Sequence, residues 1–562
     1  MMTPAGYFGK KVDGRMPGEM PDGRRQSESL GRFLARRAET LADAPAVIWG
    51  EERISFAALD RESRCLARGL ADLGIGRGDR VALWLPNTPA WLALHFACAR
   101  LGAIVVAVNT RFRSAEFADI IARSGARVLV LWPGFRQIDF IGLLEAVDRD
   151  ALDRLERIVV YGENTHAAAP FPSKTVGGKT IGDKTVVPYA ALRDRPPCQD
   201  DFGAGPAGVN IFTTSGTTKA PKFVLHDHFS VVRHAGNVAH GFGYAAPDSV
   251  VLQSLPLCGV FGFSQAMACL AAGRPMVLQA NFEAEAAARL IVEHCITGFN
   301  GSDEMFARIL AASPASVPFP SLRFCGYAAF NPTMEGIVAE AEARGLRLAG
   351  LYGASEVQAL FALQDPAAPV ASRAKPGGRP IAADYRVRVR DPESGAELPI
   401  GESGELEFAA PSTMAGYFGD AEATAKTVTE DGFVRSGDLG HCLADGSFVF
   451  ETRMGDVLRL GGYLVAPSEI EAYLRGHAAI DGCQVVGATD ASGLKPVAFV
   501  TLRQGAAFDE AALRQLCSDG LARFKVPVRI FALDAFPTTT SANGTKVQRA
   551  KLREMAQARL KP

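Results

Sequence analysis

Residues 213–222 read TTSGTTKAPK, five hydroxyl side chains, one glycine and two lysines in a single run. The apolar stretch Val209-Asn210-Ile211-Phe212 leads into it and reads as the end of a strand. A hydroxyl-rich turn after a strand gathers backbone N–H groups, hydroxyls and ammonium groups in one small volume, which is what a polyphosphate requires. The run lacks the G-x-x-x-x-G-K-S/T spacing of kinase-type phosphate loops. Taken alone it reads equally well as a solvated loop rich in turn formers.

Working outward, 562 residues exceed one core and suggest roughly three or four lobes. Lys plus Arg number 60 against 61 Asp plus Glu, so nucleic acid is not the expected partner. Gly is 57 of 562, about 10% against a usual ~7%, which suits turns where backbone approaches a ligand closely. The 10 cysteines are scattered without a C-x-x-C pair, so neither a zinc site nor a disulfide framework is signalled. A reducing cytoplasm is the expected compartment. Residues 1–28 carry Gly, Pro and charge but no apolar segment, and read as a flexible tail without a secretory leader. Ser249 to Gly273 has no charged residue but is broken by Pro256, Gly259 and Gly262. That predicts a buried strand, turn and helix rather than a membrane span.

Helical spacing runs through Ser29–Glu39, Phe56–Leu73, Trp91–Leu101 and Ser114–Ser124, with short apolar runs at Arg80–Leu85, Ala103–Val108 and Arg127–Leu131. Alternation of strand and helix implies parallel sheets with crossover helices. Residues 165–197, rich in Lys, Gly, Thr, Ala and Pro, predict a surface excursion. The alternation resumes through about Leu363. Between 376 and 450, short strands broken by glycines, with Asp431-Gly432 and Asp445-Gly446 as turns, predict a small β-rich subdomain. Beyond Gly455 the chain reads as a compact α+β unit.

Further constellations carry chemistry. Leu351 to Glu356 reads LYGASE and follows the strand-like Leu346-Arg347-Leu348. It offers a stacking face and a cation ligand, or an ordinary strand-to-helix turn. Ser436-Gly437-Asp438-Leu439-Gly440 sets a carboxylate in a glycine-flanked turn, a good acceptor for vicinal hydroxyls and equally a plain β-turn.

Together, and in this order, these stretches resemble the motifs of the adenylate-forming superfamily of acyl-CoA synthetases, luciferases and peptide-synthetase adenylation domains. TTSGTTKAPK resembles its phosphate loop, with Lys219 standing where a second glycine is usual. The resemblance implies ATP contacts from Thr213, Thr214, Ser215, Gly216, Thr217, Thr218, Lys219 and Lys222. LYGASE resembles Y-G-x-T-E, with Ser355 for threonine. Tyr352 and Gly353 would then lie against adenine, Ser355 would approach phosphate and Glu356 would hold Mg²⁺. Gly326-Tyr327-Ala328-Ala329 looks like the segment beside adenine. SGDLG resembles T-G-D-L/I-G, implying ribose contacts for Asp438. Glu451 to Glu471 resembles the family's hinge region: Arg453 on the ribose or phosphate side, Gly455 at the hinge where Asp or Lys is usual, and Gly461 and Gly462 along a pantetheine tunnel. Pro537 to Arg553 resembles the C-terminal motif, with Thr545 intervening between Gly544 and Lys546. Lys546 matches the lysine that bridges the reacting carboxylate and the α-phosphate. Lys546, Glu356 and Thr214 are thus the catalytic candidates.

The resemblance covers nearly the whole chain after the tail and implies an α/β fold. A large AMP-binding domain, 29–454, would hold two parallel-sheet subdomains and the β-rich one, and 455–562 would be a small mobile lid. The implied reaction makes an acyl-adenylate from a carboxylic acid and ATP, then a thioester with coenzyme A. A carrier-protein thiol in trans, or nucleotide binding without turnover, are the alternatives. A homodimer is a candidate assembly. The acid pocket departs most: in Leu255 to Phe263, Gly259 replaces a usual histidine, and Gly301-Ser302-Asp303-Glu304-Met305 replaces G-V-P-T-M. Gly259, Val260, Phe261, Phe263, Asp303, Gly326 and Tyr327 are the pocket candidates. Phe261, Phe263, Tyr327 and Phe330 hint at an apolar or cyclic acid. Asp303 and Glu304 read more readily as the first turn of a helix capped by Ser302.

Overall fold

The computed structural model describes residues 28–162, 175–176, 179–180, 184–213, 221–330, 334, 336–460, 463–465, 467–490, 493–521, 523–541 and 544–560. The expected alternation is present. Helix Leu30–Leu41 begins at Ser29, whose hydroxyl accepts the Arg32 N–H, and Phe56–Asp72 and Pro89–Leu101 are capped in the same way by Ser55 and Thr88. Helix Pro89–Leu101 is buried on every side, His95 and Arg100 included, and so lies between layers.

One sheet has eight strands. Its parallel body, in spatial order, is Gly208–Thr213, Ile104–Ala107, Arg80–Trp84, Val128–Leu131, Arg157–Val160 and Thr185–Pro188; Phe223–Asp227 adds antiparallel beside Gly208–Thr213, and Gly416–Tyr417 antiparallel beyond Phe223–Asp227. The parallel strands are short runs such as VLVL, buried on both faces because helices cover the sheet. Of the stretch 165–197, residues 165–174, 177–178 and 181–183 lie outside the described residues, and the part from 184 onward is more than a surface excursion. Thr185–Pro188 is the far strand of this sheet, followed by helix Tyr189–Arg193, and Val186, Val187, Tyr189 and Leu192 are buried. A strand of two adjacent valines is too short to show against polar flanks.

A second sheet joins Val251–Gln253, Met276–Leu278 and Pro45–Trp49 in parallel, with Glu52–Ser55 antiparallel. Val251–Gln253, a turn and helix Val260–Ala272 are the buried strand, turn and helix expected there. Among the described residues no helix is long and apolar enough to cross a membrane. A third sheet begins with parallel Asn300–Ser302, Cys325–Ala328 and Leu348–Tyr352. It continues antiparallel through Ala362–Leu363, Gly377–Pro380, Phe448–Arg453, Val434–Cys442, Gly404–Ala409 and Arg386–Arg390. The β-rich segment therefore forms, joined edge to edge with parallel strands through the two-residue strand Ala362–Leu363.

The C-terminal part has its own core around Leu458, Ile470, Val485, Val500, Cys517 and Ile530. The hairpin Ile480–Asp490/Gly493–Leu502 pairs with Arg529–Ala532, and helices Pro467–Arg475, Glu510–Gly520 and Arg549–Leu560 accompany it. A second hairpin, Thr538–Ser541/Gly544–Val547, stands beside helix Asp303–Ala311 of the larger part. All ten cysteines are free thiols.

Candidate active site

Two motifs sit at the carboxyl ends of parallel strands, where open α/β sheets place their ligands. Gly208–Thr213 ends at Thr213, which pairs across to Phe223. The two ends of the candidate phosphate loop are therefore neighbours. Thr214, Ser215, Gly216, Thr217, Thr218 and Lys219 lie outside the described residues; Thr213 and Lys222 flank them. Leu348–Tyr352 ends at Tyr352, from which the chain turns through Ser355, Glu356 and Val357.

This turn is tight and strained. A Cβ on Gly353 would stand 2.5 Å from both Ala359 Cα and Leu360 N, so no side chain fits there. Gln358, Ala359 and Leu360 hold left-handed φ angles of 65°, 54° and 45°. Each costs roughly 1–2 kcal/mol for a residue with a Cβ, and such strain persists where surroundings over-determine it. Here Ala359 N–H donates to Ala354 O at 2.8 Å, Phe361 N–H to Tyr352 O at 2.9 Å, and Ser264 Oγ to Gln358 O at 2.6 Å. His226 Nε2 donates to Ser355 O at 2.8 Å. Burial lowers the His226 pKa to about 4, so the ring is neutral near pH 7.

Pairing of antiparallel strands brings the next two motifs together, because Asp438 lies opposite Arg453. Arg453 Nε is 3.0 Å from Asp438 Oδ1, and the Tyr352 hydroxyl donates to Oδ2 at 2.5 Å. The Tyr352 ring packs against Phe408, Phe448 and Phe450. Asp438 is buried and Arg453 exposed. Burial pushes the Asp438 carboxyl up, against the opposing pull of Arg453 and Tyr352. Among the described residues Oδ1 has no hydrogen-bond partner beyond the Arg453 ion-pair contact, which leaves acceptor capacity for a ribose hydroxyl.

Glu356 faces a residue that the motifs do not contain. Tyr417 donates its hydroxyl to Glu356 Oε1 at 2.7 Å, and Lys222 Nζ donates to the same hydroxyl at 3.3 Å. Among the described residues no group of three His, Cys, Asp or Glu side chains could hold a metal ion. A single carboxylate suits Mg²⁺, which keeps waters and takes its other ligands from phosphates. Glu356 is the residue that would hold it.

On the acid side Gly259 caps helix Val260–Ala272, with Val260 half-buried. Phe263 is enclosed by the rings of Trp91, His95 and Phe212 in the core, and Phe261 is also buried. Tyr327 packs with Leu252, Phe299 and Phe306, its hydroxyl donating to Ala374 O at 2.7 Å, whereas Ala328 belongs to the core on the other side of the sheet. Strand alternation thus turns Tyr327 away from the space Ala328 borders. Exposed Ala329 follows Ala328 at the strand end. Asp303 is committed to backbone: Oδ1 accepts Glu304 N–H and Oδ2 accepts Phe330 N–H, both at 2.8 Å. Ser302 caps the helix through Met305 N–H, as its spacing predicts. A Cβ on Gly326 would lie 2.4 Å from Asn300 Oδ1, which accepts the Gly326 N–H. Asn300 in turn donates to Tyr244 Oη at 2.8 Å and takes Gln265 Oε1 on its own N–H at 2.7 Å. This buried network stands behind Gly326.

Gly455 lies in the short turn Met454–Asp456, with open space where a Cβ would be. Arg553 donates to Gly455 O at 3.0 Å and to Asp456 Oδ1 at 2.8 Å, while Arg549 pairs with Glu471 at 2.6 Å. Lys546 has Thr539 as its strand partner, in the hairpin beside helix Asp303–Ala311; its side chain, and Gly461 and Gly462, lie outside the described residues. Tyr417, His226, Ser264 and Asn300 carry no motif signal; strand register and turn packing bring them to the site.

The family model for AMP-binding enzymes matches residues 34–418, and the model for the AMP-binding enzyme C-terminal domain matches 469–543. The chain belongs to the AMP-binding enzyme family. It is 28% identical over 547 residues to a putative acyl-CoA synthetase of Bacillus subtilis, covering 94% of this chain and 96% of that one. To a feruloyl-CoA synthase of an Amycolatopsis species it is 31% identical over 524 residues, 92% and 97% of the two chains. To the sulfoacetate–CoA ligase of Cupriavidus necator it is 30% identical over 531 residues, 93% and 97%. Among solved structures, ATP-bound MatB from Rhodopseudomonas palustris matches with a TM-score of 0.79 at 23% identity, covering 94% of this chain and 100% of that one. The anthranilate CoA ligase AuaEII in complex with anthranoyl-AMP matches with 0.76 at 25% identity, 94% and 98%.

Proposed function

We propose that this chain is an AMP-forming acid–CoA ligase. A carboxylate oxygen attacks the α-phosphorus of ATP, the bond to pyrophosphate breaks, and an acyl-adenylate forms. The CoA thiolate then attacks the acyl carbon, and AMP leaves with the bonding electrons. The observation that carries this reading is the joining of three separated motifs at the strand ends: Tyr352 and Arg453 on Asp438, and Glu356 within the same turn as Tyr352. Asp438 and Arg453 are suited to the ribose, and Thr213 to Lys222 to the phosphates. Mg²⁺, when bound, neutralises phosphate charge. Lys546 supplies charge between carboxylate and α-phosphate, and proximity of its hairpin to helix Asp303–Ala311 favours an orientation suited to this first step.

The chain divides in this reading at the turn carrying Gly455, residues 29–454 binding nucleotide and acid and 455–562 acting as the lid. The acid lies near Gly259, Val260, Gly326 and Ala328. Phe263 and Tyr327 point elsewhere, so the aromatic hint of a cyclic acid loses most of its support. The Asn300–Tyr244–Gln265 network behind Gly326 favours a compact acid over a long chain. Relatives carry names for acids as different as sulfoacetate and ferulate, so the chemistry is held in common while the pocket varies.

Pyrophosphate release across a panel of short, aromatic and long-chain acids, with CoA or a carrier protein as acceptor, tests the proposal. Acid-dependent release with acyl-CoA as product is expected. Release with carrier protein alone replaces CoA as acceptor, and ATP binding without release on any acid rejects the ligase.

A further inference from the structure

Tyr417 stands outside the motifs, yet its hydroxyl joins two of them. Gly416–Tyr417 is a two-residue strand whose partner, Phe223–Asp227, begins immediately after Lys222. Tyr417 pairs with Val224, which sets its ring one residue pair from the end of the phosphate loop. Gly416 adopts φ of 144°, and a Cβ there would lie 3.0 Å from Thr424 Cγ2. Thr424 Oγ1 accepts the Tyr417 N–H at 2.8 Å. The residue is therefore held at its backbone as well as by burial of its ring.

From that position the hydroxyl donates to Glu356 Oε1 at 2.7 Å and accepts from Lys222 Nζ at 3.3 Å, with the Lys222 ammonium 4.5 Å above the ring centroid. A second tie fixes the same contact: Met414 N–H donates to Glu356 O at 2.8 Å. Among the described residues Glu356 Oε2 accepts no hydrogen bond. A hydroxyl that takes one carboxylate oxygen fixes the plane of the carboxylate and leaves the other oxygen for a cation, as outer partners of metal ligands do. Because the hydroxyl also accepts a hydrogen bond from Lys222, the carboxylate and the end of the phosphate loop are referred to one atom.

Resting on the ligase reading, we propose that Tyr417 is a positioning residue: it orients Glu356 toward the Mg²⁺ of bound MgATP and couples that carboxylate to Lys222 of the phosphate loop. Its hydroxyl does not touch the reacting atoms. The same hydroxyl could instead serve only to fasten the strand Gly416–Tyr417 to the Glu356 turn, in which case its loss would lower stability without regard to Mg²⁺.

Tyr417→Phe removes the oxygen and keeps the ring under Lys222. Nucleotide affinity is measured by calorimetry on the full chain, with Mg²⁺ and with EDTA, for wild type, Tyr417→Phe, Glu356→Gln and the double variant, with thermal melts alongside. Positioning predicts that Tyr417→Phe loses about tenfold in the Mg²⁺-dependent part of ATP affinity. Its affinity in EDTA and its Tm should stay unchanged, and the double variant should be no weaker than Glu356→Gln alone. Thioester formation from supplied acyl-adenylate, which needs no Mg²⁺ on Glu356, should proceed at the wild-type rate. Equal losses with and without Mg²⁺, additive losses in the double variant, a lowered Tm with unaltered Mg²⁺ dependence, or no change at all would overturn the positioning role. A wild type whose ATP affinity ignores Mg²⁺ removes the ligase reading and this inference with it. A Mg²⁺-dependent wild type with an indifferent Tyr417→Phe removes the inference alone.

Discussion

At the scale of single residues, Lys546 and Lys219, two of the three lysines that the motifs single out, are expected to meet different phosphates of ATP. On the proposed reading Lys546 is needed where charge develops on the α-phosphate, a need that ends once the adenylate exists. Lys546→Ala should abolish most pyrophosphate release while largely sparing thioester formation from supplied acyl-adenylate. Single-turnover measurements of the two half-reactions check this, and equal loss in both would reject the assignment. Lys219 stands in the phosphate loop where a glycine is usual. Its ammonium is expected near the β- or γ-phosphate, a contact of roughly 1–3 kcal/mol where partly shielded from water. Lys219→Met keeps length and removes charge, so MgATP affinity should fall at low ionic strength and the difference should shrink in high salt. An unchanged affinity in low-salt titrations would place the ammonium in solvent. Asp303 shows the opposite case, a carboxylate in the candidate pocket each of whose oxygens already accepts a backbone N–H, from Glu304 and Phe330.

Among the elements, the turn Met454–Asp456 makes no demand for glycine in the conformation described. Gly455 is not in the left-handed region, and a Cβ there would meet open space. Gly455→Ala is therefore expected to leave Tm unchanged, which locates the value of glycine in a second conformation that requires other backbone angles. Gly455→Pro fixes φ near −65° and disfavours helical angles at Met454. One half-reaction should fail while the other survives, and wild-type rates in both would show that the hinge lies elsewhere. Arg553 of the C-terminal motif already holds this turn, on Gly455 O and Asp456, so the proposed rotation about Gly455 would have to break or carry the contact with Gly455 O.

At the scale of the whole molecule, four histidines among the described residues are buried neutral. Burial lowers His95 and His234 to about 3, and His226 and His228 to about 4. Their folded pKa values lie below the unfolded value near 6.5, so the stability they contribute is complete above that pH and is lost as pH falls below it. Asp227 works the other way: burial raises its carboxyl to about 6, and it holds a proton in the folded state near pH 5 that it releases on unfolding. The net is an uptake of roughly three protons on unfolding near pH 5. Calorimetric melts should show Tm nearly level from pH 8 to 7 and falling steeply between 6.5 and 5; a level Tm down to pH 5 would mean that these rings reach solvent. His228→Asn should flatten the fall if the variant folds.

The sequence alone determined the family, the alternation of strand and helix through most of the chain, and the nucleotide-binding candidates, because these reside in local signals. Apolar runs of four or five residues mark parallel strands buried on both faces, as at Val128–Leu131. Short motifs such as LYGASE and SGDLG keep their residue types at constant spacing. The N-cap at Ser302 was readable for the same reason. Tertiary structure alone decided which side chains meet. Asp438 faces Arg453 through antiparallel register, Tyr417 reaches Glu356 through a two-residue strand, and Thr185–Pro188 joins the sheet despite polar flanks. It also decided which way a ring points, sending Phe263 and Tyr327 into the core. The physical reason is that spacing along a chain encodes the period of one element, whereas a hydrogen bond across elements depends on register, sheet face and turn packing, which are set when separate stretches bury one another.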